Sequence, residues 1–289
     1  MTSQPGPGQA EYLRKRITDA ADLVWRRMLG DSEADETGFD PEFNATVLMP
    51  LYRPLYRKWF RVRMRGLENV PESGAALVVA NHSGVLPLDA LMLQTGIFDE
   101  HRAHRNLRVL SADLVYEIPL LSDLARRSGH IRADRDDAGR LLAAGELVGV
   151  FPEGFKGIGK PFRERYHLQR FGRGGFASTA IDAGVPIVPC AIVGAEEIYP
   201  MIGNSKNLAR LLNLPYFPVT PLFPWLGPVG AIPLPSNWLI EFCSPVPTDP
   251  ASFNGTNPAD AVSFLADRVR DTIQAKVDQL LVERGPAFS

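Results

Sequence analysis

The sequence predicts an α/β fold with a mixed, mostly parallel sheet flanked by helices. Three observations support this class of fold. Short apolar runs typical of buried strands alternate along the chain with stretches of helical periodicity. The chain of 289 residues is long enough for one large domain with a hydrophobic core. Its proportions of hydrophobic residues (45%) and charged residues (22%) are those of an ordinary globular protein.

The first 46 residues are predicted to form an N-terminal region that precedes the main domain. Residues 1–10 are predicted to be a flexible tail. Residues 11–30 place apolar side chains at helical spacing with basic residues on the other face, which predicts an amphipathic helix. The acidic, turn-rich residues 31–42 predict a linker. Residues 47–289 then form the main domain, which includes a C-terminal helix.

Strands and helices alternate from residue 75 onward. Strands are predicted at Ala75–Ala80, Leu107–Ser111, Gly129–Arg132, Leu147–Phe151, Pro186–Val193 and Trp238–Cys243. Helices are predicted at Leu88–Phe98, Arg135–Ala144, Phe176–Ala183 and after Asn257, which acts as an N-cap before Pro258 at the first helical position. In sheets of this kind, the loops after the carboxyl ends of the strands form the functional site.

Composition and cysteine usage exclude several classes of function. The formal net charge is −2, which gives no indication of a nucleic-acid partner. Cys190 and Cys243 lie far apart in apolar stretches, without a CxxC motif or a Cys/His cluster. This pattern predicts buried free thiols in a reducing compartment, with neither a disulfide framework nor a metal site.

Neither a secretory signal nor a transmembrane helix is expected. Residues Met1–Gln9 are polar and contain no apolar core of a signal peptide. The longest uncharged run, Leu211–Ile240, contains seven prolines and therefore does not form a continuous hydrogen-bonded span in lipid. The chain is expected to be soluble or peripherally bound to a membrane.

His82 is the first candidate for a catalytic residue. It follows a buried strand and precedes a helix, so we expect it at a strand end that a substrate can reach. Asp89 comes seven positions later, near the start of that helix. A carboxylate bonded to one imidazole nitrogen fixes the tautomer and leaves the other nitrogen basic, which suits proton removal from an alcohol that attacks a carbonyl. The alternative is a histidine at a helix entry beside a capping aspartate.

The turn Phe151-Pro152-Glu153-Gly154 follows the predicted strand at Leu147–Phe151. Proline and glycine favour a turn that leaves Glu153 projecting at the edge of the sheet, where its carboxylate is able to accept hydrogen bonds from substrate hydroxyls. The alternative is a plain turn with a solvated glutamate. Lys156 and Lys160 follow in a glycine-rich loop whose backbone amides are suited to contact with an anion.

Two weaker motifs complete an ordered series. Arg132 is a candidate for binding a phosphate through its guanidinium, although an exposed arginine is usually just solvated. Pro186, at the start of a proline-bearing strand, indicates no chemistry by itself. Taken in order, His82, Arg132, Glu153 and Pro186 resemble the blocks of the lysophospholipid/glycerol acyltransferase superfamily, over about residues 47–245.

The segment around His82 resembles one branch of that superfamily. The superfamily usually has four residues between the histidine and the aspartate, whereas six separate His82 from Asp89, and Pro87 occupies the usual aspartate position. The sequence Asn-His-Ser-Gly with a later Pro-x-Asp resembles the branch related to monoacylglycerol and diacylglycerol acyltransferases, as does the stretch 157–173. The pattern therefore defines His82 better than Asp89 and leaves the acceptor open.

The resemblance implies an O-acyltransferase of the 1-acylglycerol-3-phosphate or mono/diacylglycerol type, with no metal or organic cofactor. A fatty acyl group passes from acyl-CoA or acyl carrier protein, as co-substrate, to a hydroxyl of a glycerolipid or lysophospholipid acceptor. His82 is then the general base, oriented by Asp89. Substrate contacts are implied for the residues of these blocks: Asn81, Ser83, Gly84, Arg132, Phe151, Pro152, Glu153, Gly154 and Lys156.

Two alternatives to a transferase stay open. A lipid or thioester hydrolase would use the same pair to activate water, although the chain has no Gly-x-Ser-x-Gly elbow and Ser83 directly follows the base. A non-catalytic lipid-binding protein would keep the fold without turnover. The presence of His82, Arg132 and Glu153 argues against that second alternative.

Two segments are candidates for membrane contact, besides the N-terminal helical segment. Leu51–Val70 contains six Lys or Arg residues and one Glu among tyrosine and tryptophan, which suits the lipid headgroup zone, unless it is a basic helix packed on the domain. Leu211–Ile240 is expected to dip into the membrane, to cover an acyl tunnel or to cross over the core. Together these segments predict a cytoplasmic protein bound peripherally to the inner face of the membrane.

Overall fold

The computed structural model describes residues 34–83, 88–117, 119–172, 174–211, 217–249 and 257–288, together with five positions between residues 15 and 26. The predicted tail at residues 1–10 lies outside these ranges, as does most of the predicted amphipathic helix at residues 11–30. Gly84 and Pro87, which belong to the motif around His82, also lie outside the described residues.

The strands form a mixed, mostly parallel sheet, which confirms the predicted class. In chain order they are β1 (Arg63–Arg65), β2 (Ala76–Ala80), β3 (Leu107–Ser111), β4 (His130–Arg132), β5 (Leu147–Val150), β6 (Ile187–Val193), β7 (Gly203–Asn204), β8 (Pro218–Val219) and β9 (Leu239–Phe242). Seven of them form one sheet in the order β1-β9-β6-β2-β5-β3-β4, and β7 pairs with β8 separately. Within the large sheet, the pair β6–β9 is antiparallel and the other neighbours are parallel.

The helices flank this sheet. They are α1 (residues 41–59), α2 (Leu88–Glu100), α3 (Leu114–Glu117), α4 (Pro119–Arg127), α5 (Arg135–Ala143), α6 (Phe155–Ile158), α7 (Gly175–Ala183), α8 (Lys206–Leu211) and α9 (Pro258–Arg284). Helix α1 alternates between α-helical turns at Pro41–Phe43 and Met49–Pro54 and π-helical turns at Asn44–Leu48 and Leu55–Trp59. The predicted strands and helices of the main domain are confirmed. Elements α3, α4, α6, α8, β1, β7 and β8 were not predicted, and α1 was predicted only in part, as the alternative of a basic helix within Leu51–Val70.

Both faces of the sheet are covered, as parallel strands require. In β2, Val78 and Ala80 face a cluster that includes residues of α1 and α2, whereas Leu77 and Val79 face a cluster that includes residues of α7 and α9. Every residue of β2 and β6 is buried. The continuous apolar runs in the sequence therefore mark the two strands at the centre of the sheet.

The N-terminal boundary differs from the prediction because the acidic stretch packs on the domain. The buried Arg108 donates a hydrogen bond to Asp35 Oδ2 at 2.9 Å, and its guanidinium lies 4.5 Å from the centre of the Phe39 ring. Asp40 is also buried and caps α1 by accepting the Phe43 N–H. Residues 34–40 are therefore not a free linker, and α1 runs through the predicted boundary at residues 46 and 47.

Among the described helices, none combines the length and the apolar character needed to cross a membrane. Cys190 and Cys243 are both buried and free, as expected. Burial raises the pKa of both thiols, which keeps them protonated at neutral pH.

Candidate active site

His82 lies just beyond the carboxyl end of β2, between the carboxyl ends of β5 and β6. The residue before it, Asn81, is fully buried and pairs with the backbone of Ile192 in β6. Its Nδ2 donates to Ile192 O at 2.9 Å, and its Oδ1 accepts the Ile192 N–H at 2.7 Å. Asn81 therefore fixes the backbone that presents His82, because its side chain continues the pairing of β2 with β6 past the end of the strand.

Asp89 contacts His82 directly, despite the six residues between them. The distance from His82 Nδ1 to Asp89 Oδ2 is 2.7 Å, and the Asp89 side chain is completely buried. Oδ2 also accepts the Ser83 N–H at 2.9 Å, and Oδ1 accepts the Ala90 N–H at 2.8 Å. These bonds, together with the position of Asp89 at the start of α2, stabilise the carboxylate.

This contact leaves Nε2 as the basic nitrogen of His82. Because the carboxylate of Asp89 accepts a hydrogen bond from Nδ1, the proton of the neutral ring lies on Nδ1. Within the described part of the chain, Nε2 has no hydrogen-bond partner. The side chain is 15% exposed, and its ring lies 4.7 Å from the ring of Phe151, centre to centre. The imidazole is thus held on one side by Asp89 and packed against an apolar wall, with access to solvent.

Glu153 holds the backbone of His82. The sequence predicted a carboxylate that projects from a turn, but Glu153 is 3% exposed. Its Oε1 accepts the His82 backbone N–H at 3.0 Å, and its Oε2 accepts the Gln169 N–H at 2.7 Å. Both oxygens are therefore engaged inside the protein, which corrects the expectation that the carboxylate projects at the edge of the sheet.

Lys160 lies between two buried carboxylates, those of Glu153 and Glu196. Its Nζ donates to Glu196 Oε1 at 3.0 Å and to His167 O at 3.2 Å, and lies 3.5 Å from Glu153 Oε2. Burial raises the pKa of Glu196 to about 7, while the lysine opposes that rise. These side chains adjoin a small cavity whose lining includes Gly157, Phe162, Arg165, Tyr199 and Met201.

Arg132 lies away from His82. It ends β4 at the edge of the sheet, three strand positions from β2, which corresponds to about 14 Å at the usual spacing of strands. Its side chain is exposed, with Nε 4.0 Å from Asp113 Oδ1 and the guanidinium 5.6 Å from the centre of the Tyr116 ring. Arg132 and His82 both lie at the carboxyl ends of the parallel strands, but they do not contact each other.

The other candidate residues are distributed around His82. Ser83 is buried, and its hydroxyl has no partner among the described residues. Pro152 and Gly154 form the turn that carries Glu153, closed by a hydrogen bond from the Gly154 N–H to Phe151 O at 3.1 Å. Lys156 is exposed on α6. Gly84 lies outside the described residues.

A family model matches the part of the chain that carries these residues. The family model described as Acyltransferase matches residues 61–193, a range that contains β1 to β6 with His82, Arg132 and Glu153. The chain belongs to the acyltransferase family. Among the described residues, no group of three or more His, Cys, Asp or Glu side chains is arranged to hold a metal ion.

Relatives of this acyltransferase occur in bacteria and in animals. An uncharacterized protein of Mycobacterium tuberculosis is 54% identical over 278 residues, which are 96% of this chain and 77% of that protein. The human protein named DGAT1/2-independent enzyme synthesizing storage lipids is 27% identical over 221 residues, which are 76% of this chain and 62% of the human one.

One solved structure shares the fold. The 1-acyl-sn-glycerophosphate acyltransferase PlsC from Thermotoga maritima superimposes with a TM-score of 0.52 and 20% sequence identity, over 83% of this chain and 82% of that chain. At this level of identity the similarity concerns the architecture. It shows that the acyltransferase has the α/β fold of that protein.

Sequence reasoning missed the residues that support His82 in this acyltransferase. A Cβ atom added to Gly157 would lie 2.7 Å from Glu153 Cβ and 3.0 Å from His82 O, so the loop approaches His82 only because residue 157 is glycine. The glycine-rich run from residue 154 to 159 was the available signal. The pairing of Lys160 with Glu196 left no signal, because 35 residues separate them along the chain.

Proposed function

We propose that this acyltransferase moves a fatty acyl group from acyl-CoA or acyl carrier protein to a hydroxyl of a glycerolipid or lysophospholipid. The contact of 2.7 Å between His82 Nδ1 and Asp89 Oδ2, on a partly exposed imidazole whose Nε2 has no partner in the described part of the chain, carries this proposal. Membership of the acyltransferase family supplies the class of reaction. The histidine and the carboxylate are the groups that removal of a proton from an alcohol needs.

The reaction begins with proton transfer. Nε2 of His82 takes the proton of the acceptor hydroxyl. At the same time, the oxygen of that hydroxyl forms a bond to the carbonyl carbon of the thioester. The imidazolium that results is stabilised by the buried carboxylate of Asp89. When the tetrahedral intermediate collapses, the C–S bond breaks, and the leaving thiolate takes the proton back from His82. The products are an ester and a free thiol, and the enzyme returns to its starting state.

Glu153 serves this chemistry by positioning. Its hydrogen bond to the backbone of His82 places the imidazole relative to the loop at residues 151–160. Since effective proton transfer requires the base to lie within hydrogen-bond distance of the hydroxyl, a shift of this backbone affects the rate.

Two candidate acceptor types follow from the same edge of the sheet. The exposed guanidinium of Arg132 is a candidate for binding the phosphate of a 1-acylglycerol-3-phosphate acceptor. Its strand lies about 14 Å from β2, however, which is farther than a glycerol backbone separates a phosphate from a reacting hydroxyl, so the position of Arg132 does not favour this acceptor. A monoacylglycerol or diacylglycerol acceptor makes no demand on Arg132. We propose that the protein works peripherally at the inner face of the membrane, where both kinds of acceptor reside.

Replacement of His82 tests the proposed function. Labelled acyl-CoA and labelled acyl carrier protein are each supplied with lysophosphatidate, monoacylglycerol or diacylglycerol, and the products are identified by mass spectrometry. We expect His82→Ala to abolish transfer and Asp89→Asn to reduce it about 100-fold or more, because the amide no longer favours a proton on Nδ1. Circular dichroism checks that both variants are folded.

Three results would contradict the proposal. A folded His82→Ala variant with the wild-type rate would exclude His82 as the base. Release of free fatty acid at the same rate with and without an acceptor would indicate a hydrolase. Binding of lipid without turnover across all acceptors and both acyl carriers would indicate a lipid-binding protein.

A further inference from the structure

Two segments that are far apart in the sequence meet at the edge of the sheet that carries His82. The first residue of β1, Arg63, pairs with Leu239, the first residue of β9, and Leu239 also pairs with Val193 at the carboxyl end of β6. Because β6 and β2 are parallel, the loops that enter β1 and β9 lie at the same edge as His82. The basic segment before β1 (residues 53–61) and the proline-rich loop before β9 (residues 217–238) are therefore neighbours.

Hydrogen bonds join these two loops. Trp59 Nε1 donates to Pro233 O at 2.9 Å, and Arg61 Nη2 donates to Pro235 O at 2.9 Å. On the other side, the hydroxyl of Tyr199 donates to Ala231 O at 2.7 Å. Backbone oxygens of the proline-rich loop thus fix it to the domain, while several of its apolar side chains are exposed to solvent.

Those side chains form an exposed apolar patch. It consists of Trp225, Leu226, Val229 and Ile232, which are 73%, 54%, 61% and 52% exposed, with Trp59 beside them at 38%. No charged residue occurs between residues 211 and 240. Large apolar side chains clustered on a surface mark a site of contact with another apolar phase or molecule, whereas single ones are ordinary.

A basic rim borders the apolar patch. Lys58 and Arg61 flank Trp59 in the sequence and are exposed, and Arg57, also exposed, shares the carboxylate of Asp99. Tryptophan beside lysine and arginine, next to an uncharged apolar surface, matches the headgroup zone and the adjoining hydrocarbon boundary of an anionic membrane. Negative headgroups attract the rim, and the hydrocarbon boundary accepts the patch.

We propose that the apolar patch inserts into the surface of an anionic lipid membrane, with Lys58 and Arg61 at the level of the headgroups. The edge of the sheet that carries His82 then faces the membrane, so lipid substrates reach the site without crossing water. This inference rests on the proposed function for its role in catalysis, and it names the surface through which the lipid acceptor is drawn.

Sedimentation with vesicles tests the inference. The full chain is mixed with vesicles of phosphatidylcholine alone and of phosphatidylcholine with phosphatidylglycerol. We expect binding to the anionic vesicles that weakens as salt is raised, because the rim is screened. The double variant Trp225→Glu/Val229→Glu should bind the anionic vesicles at least about tenfold more weakly than the wild type, since two apolar side chains no longer enter the interface. Lys58→Glu should weaken binding to anionic vesicles only.

Phe264→Glu is the matched control. Phe264 is apolar and 60% exposed, like the residues of the patch, but it lies near the start of α9. The other end of that helix, 20 residues later, is close to the patch, because Arg284 Nη1 donates to Asn237 O in the loop that enters β9. This separation is about 30 Å along the helix axis. We expect this variant to bind vesicles as the wild type does.

Transfer assays separate this inference from the proposed function. The double variant should lose transfer to an acceptor held in vesicles and keep the wild-type rate with a short-chain acceptor dispersed in detergent. Wild-type protein that binds vesicles without any transfer would contradict the proposed function alone. Absence of binding by the wild type, equal binding by the double variant, or equal loss of its activity in vesicles and in detergent would overturn the inference.

Discussion

His82 and His130 show how the surroundings of a histidine set its role. His82 is partly exposed, and its Nδ1 contacts the buried carboxylate of Asp89 at 2.7 Å. His130 is buried in β4, where Nδ1 contacts Ser111 Oγ at 2.7 Å and Nε2 contacts Gln94 Oε1 at 3.1 Å. Burial lowers the pKa of His130 to about 4, although the charge of Asp89 opposes this effect. His130 is therefore neutral at physiological pH and serves the structure.

The lowered pKa of His130 predicts a loss of stability in mild acid. In the unfolded chain a histidine titrates near 6.5, so the unfolded state binds a proton between pH 6.5 and 4 that the folded state does not bind. The free energy of unfolding therefore falls as pH is lowered through this window. The contribution of His130 amounts to about 2 kcal/mol between pH 7 and 5.

Urea unfolding of the wild type and of His130→Gln at pH 7 and pH 5 measures this contribution. We expect the variant to lose less stability over the interval, because glutamine does not titrate. His167→Gln, which changes an exposed histidine, is the control for the loss of one imidazole. The same pH dependence in the wild type and in His130→Gln would contradict the prediction.

At the scale of elements, the loop at residues 151–160 determines how His82 is placed. Phe151 packs against the imidazole, Glu153 holds the backbone, and Lys160 lies behind Glu153. Gly157 lets this loop pass close to His82 O. The loop therefore acts as a support built from three different interactions, and its geometry depends on a glycine.

Replacement of Gly157 tests this support. A methyl group at residue 157 would meet Glu153 Cβ at 2.7 Å, a distance at which the loop has to move. We expect Gly157→Ala to lower kcat of acyl transfer about tenfold or more with a smaller change in KM, because displacement of a catalytic group by about 1 Å has effects of this size. Steady-state kinetics with acyl-CoA and a detergent-dispersed acceptor gives both constants.

Gly139→Ala is the control for this variant. Gly139 lies in α5, where a Cβ atom would meet nothing within 4 Å, so alanine should leave the rate unchanged and favour the helix slightly. A Gly157→Ala variant with the kinetics of Gly139→Ala would show that the loop does not position His82.

The elements that the sequence predicts well are those with a strong local pattern. The apolar runs of β2, β5 and β6 are buried on both faces, and the N-cap of Asn257 with Pro258 marks the start of α9. Helix α4 was missed although Pro119 starts it, at a position where a proline costs no hydrogen bond. The two-residue strands β7 and β8 are too short to show any periodicity.

The candidate site was predictable to the same extent. The placement of His82 and Glu153 near strand ends follows from the local pattern, since each comes two residues after an apolar run. Arg132 was predicted as the last residue of the short strand Gly129–Arg132. The burial of Glu153 does not, because it depends on Lys160 and on the backbone of Gln169, which the fold brings together. Contacts between distant charges leave no trace in the spacing of residues.

Helix α9 packs along one face of the large sheet. Its 27 residues correspond to about 40 Å, and Val269, Ile273 and Val277 are completely buried against the sheet. Along its length Gln274 Nε2 donates to Tyr166 O at 2.9 Å, and Lys276 Nζ contacts Glu241 Oε1 at 2.7 Å. The helix therefore ties β9 to the loop that contains Tyr166.

The strongest tie lies at the end of α9. Arg284 binds Glu197 through both guanidinium nitrogens, at 2.7 Å from Nη2 to Oε1 and 2.9 Å from Nη1 to Oε2, and both side chains are almost fully buried. The hydroxyl of Tyr166 donates to the same carboxylate and accepts the Gly194 N–H. The C-terminal helix is thus locked to the loop that follows β6.

Removal of Arg284 should destabilise the molecule globally. Arg284→Ala leaves the carboxylate of Glu197 buried without its cation, which costs about 3–5 kcal/mol in comparable sites. Thermal unfolding followed by circular dichroism should show a lower midpoint for Arg284→Ala than for Arg163→Ala, because Arg163 is exposed and its contact with Glu164 spans 3.5 Å. The double variant Glu197→Gln/Arg284→Met, which removes both charges and keeps much of the volume, should recover part of the loss. Equal midpoints for Arg284→Ala and Arg163→Ala would mean that the C-terminal helix is held to the β6 loop by its apolar face alone.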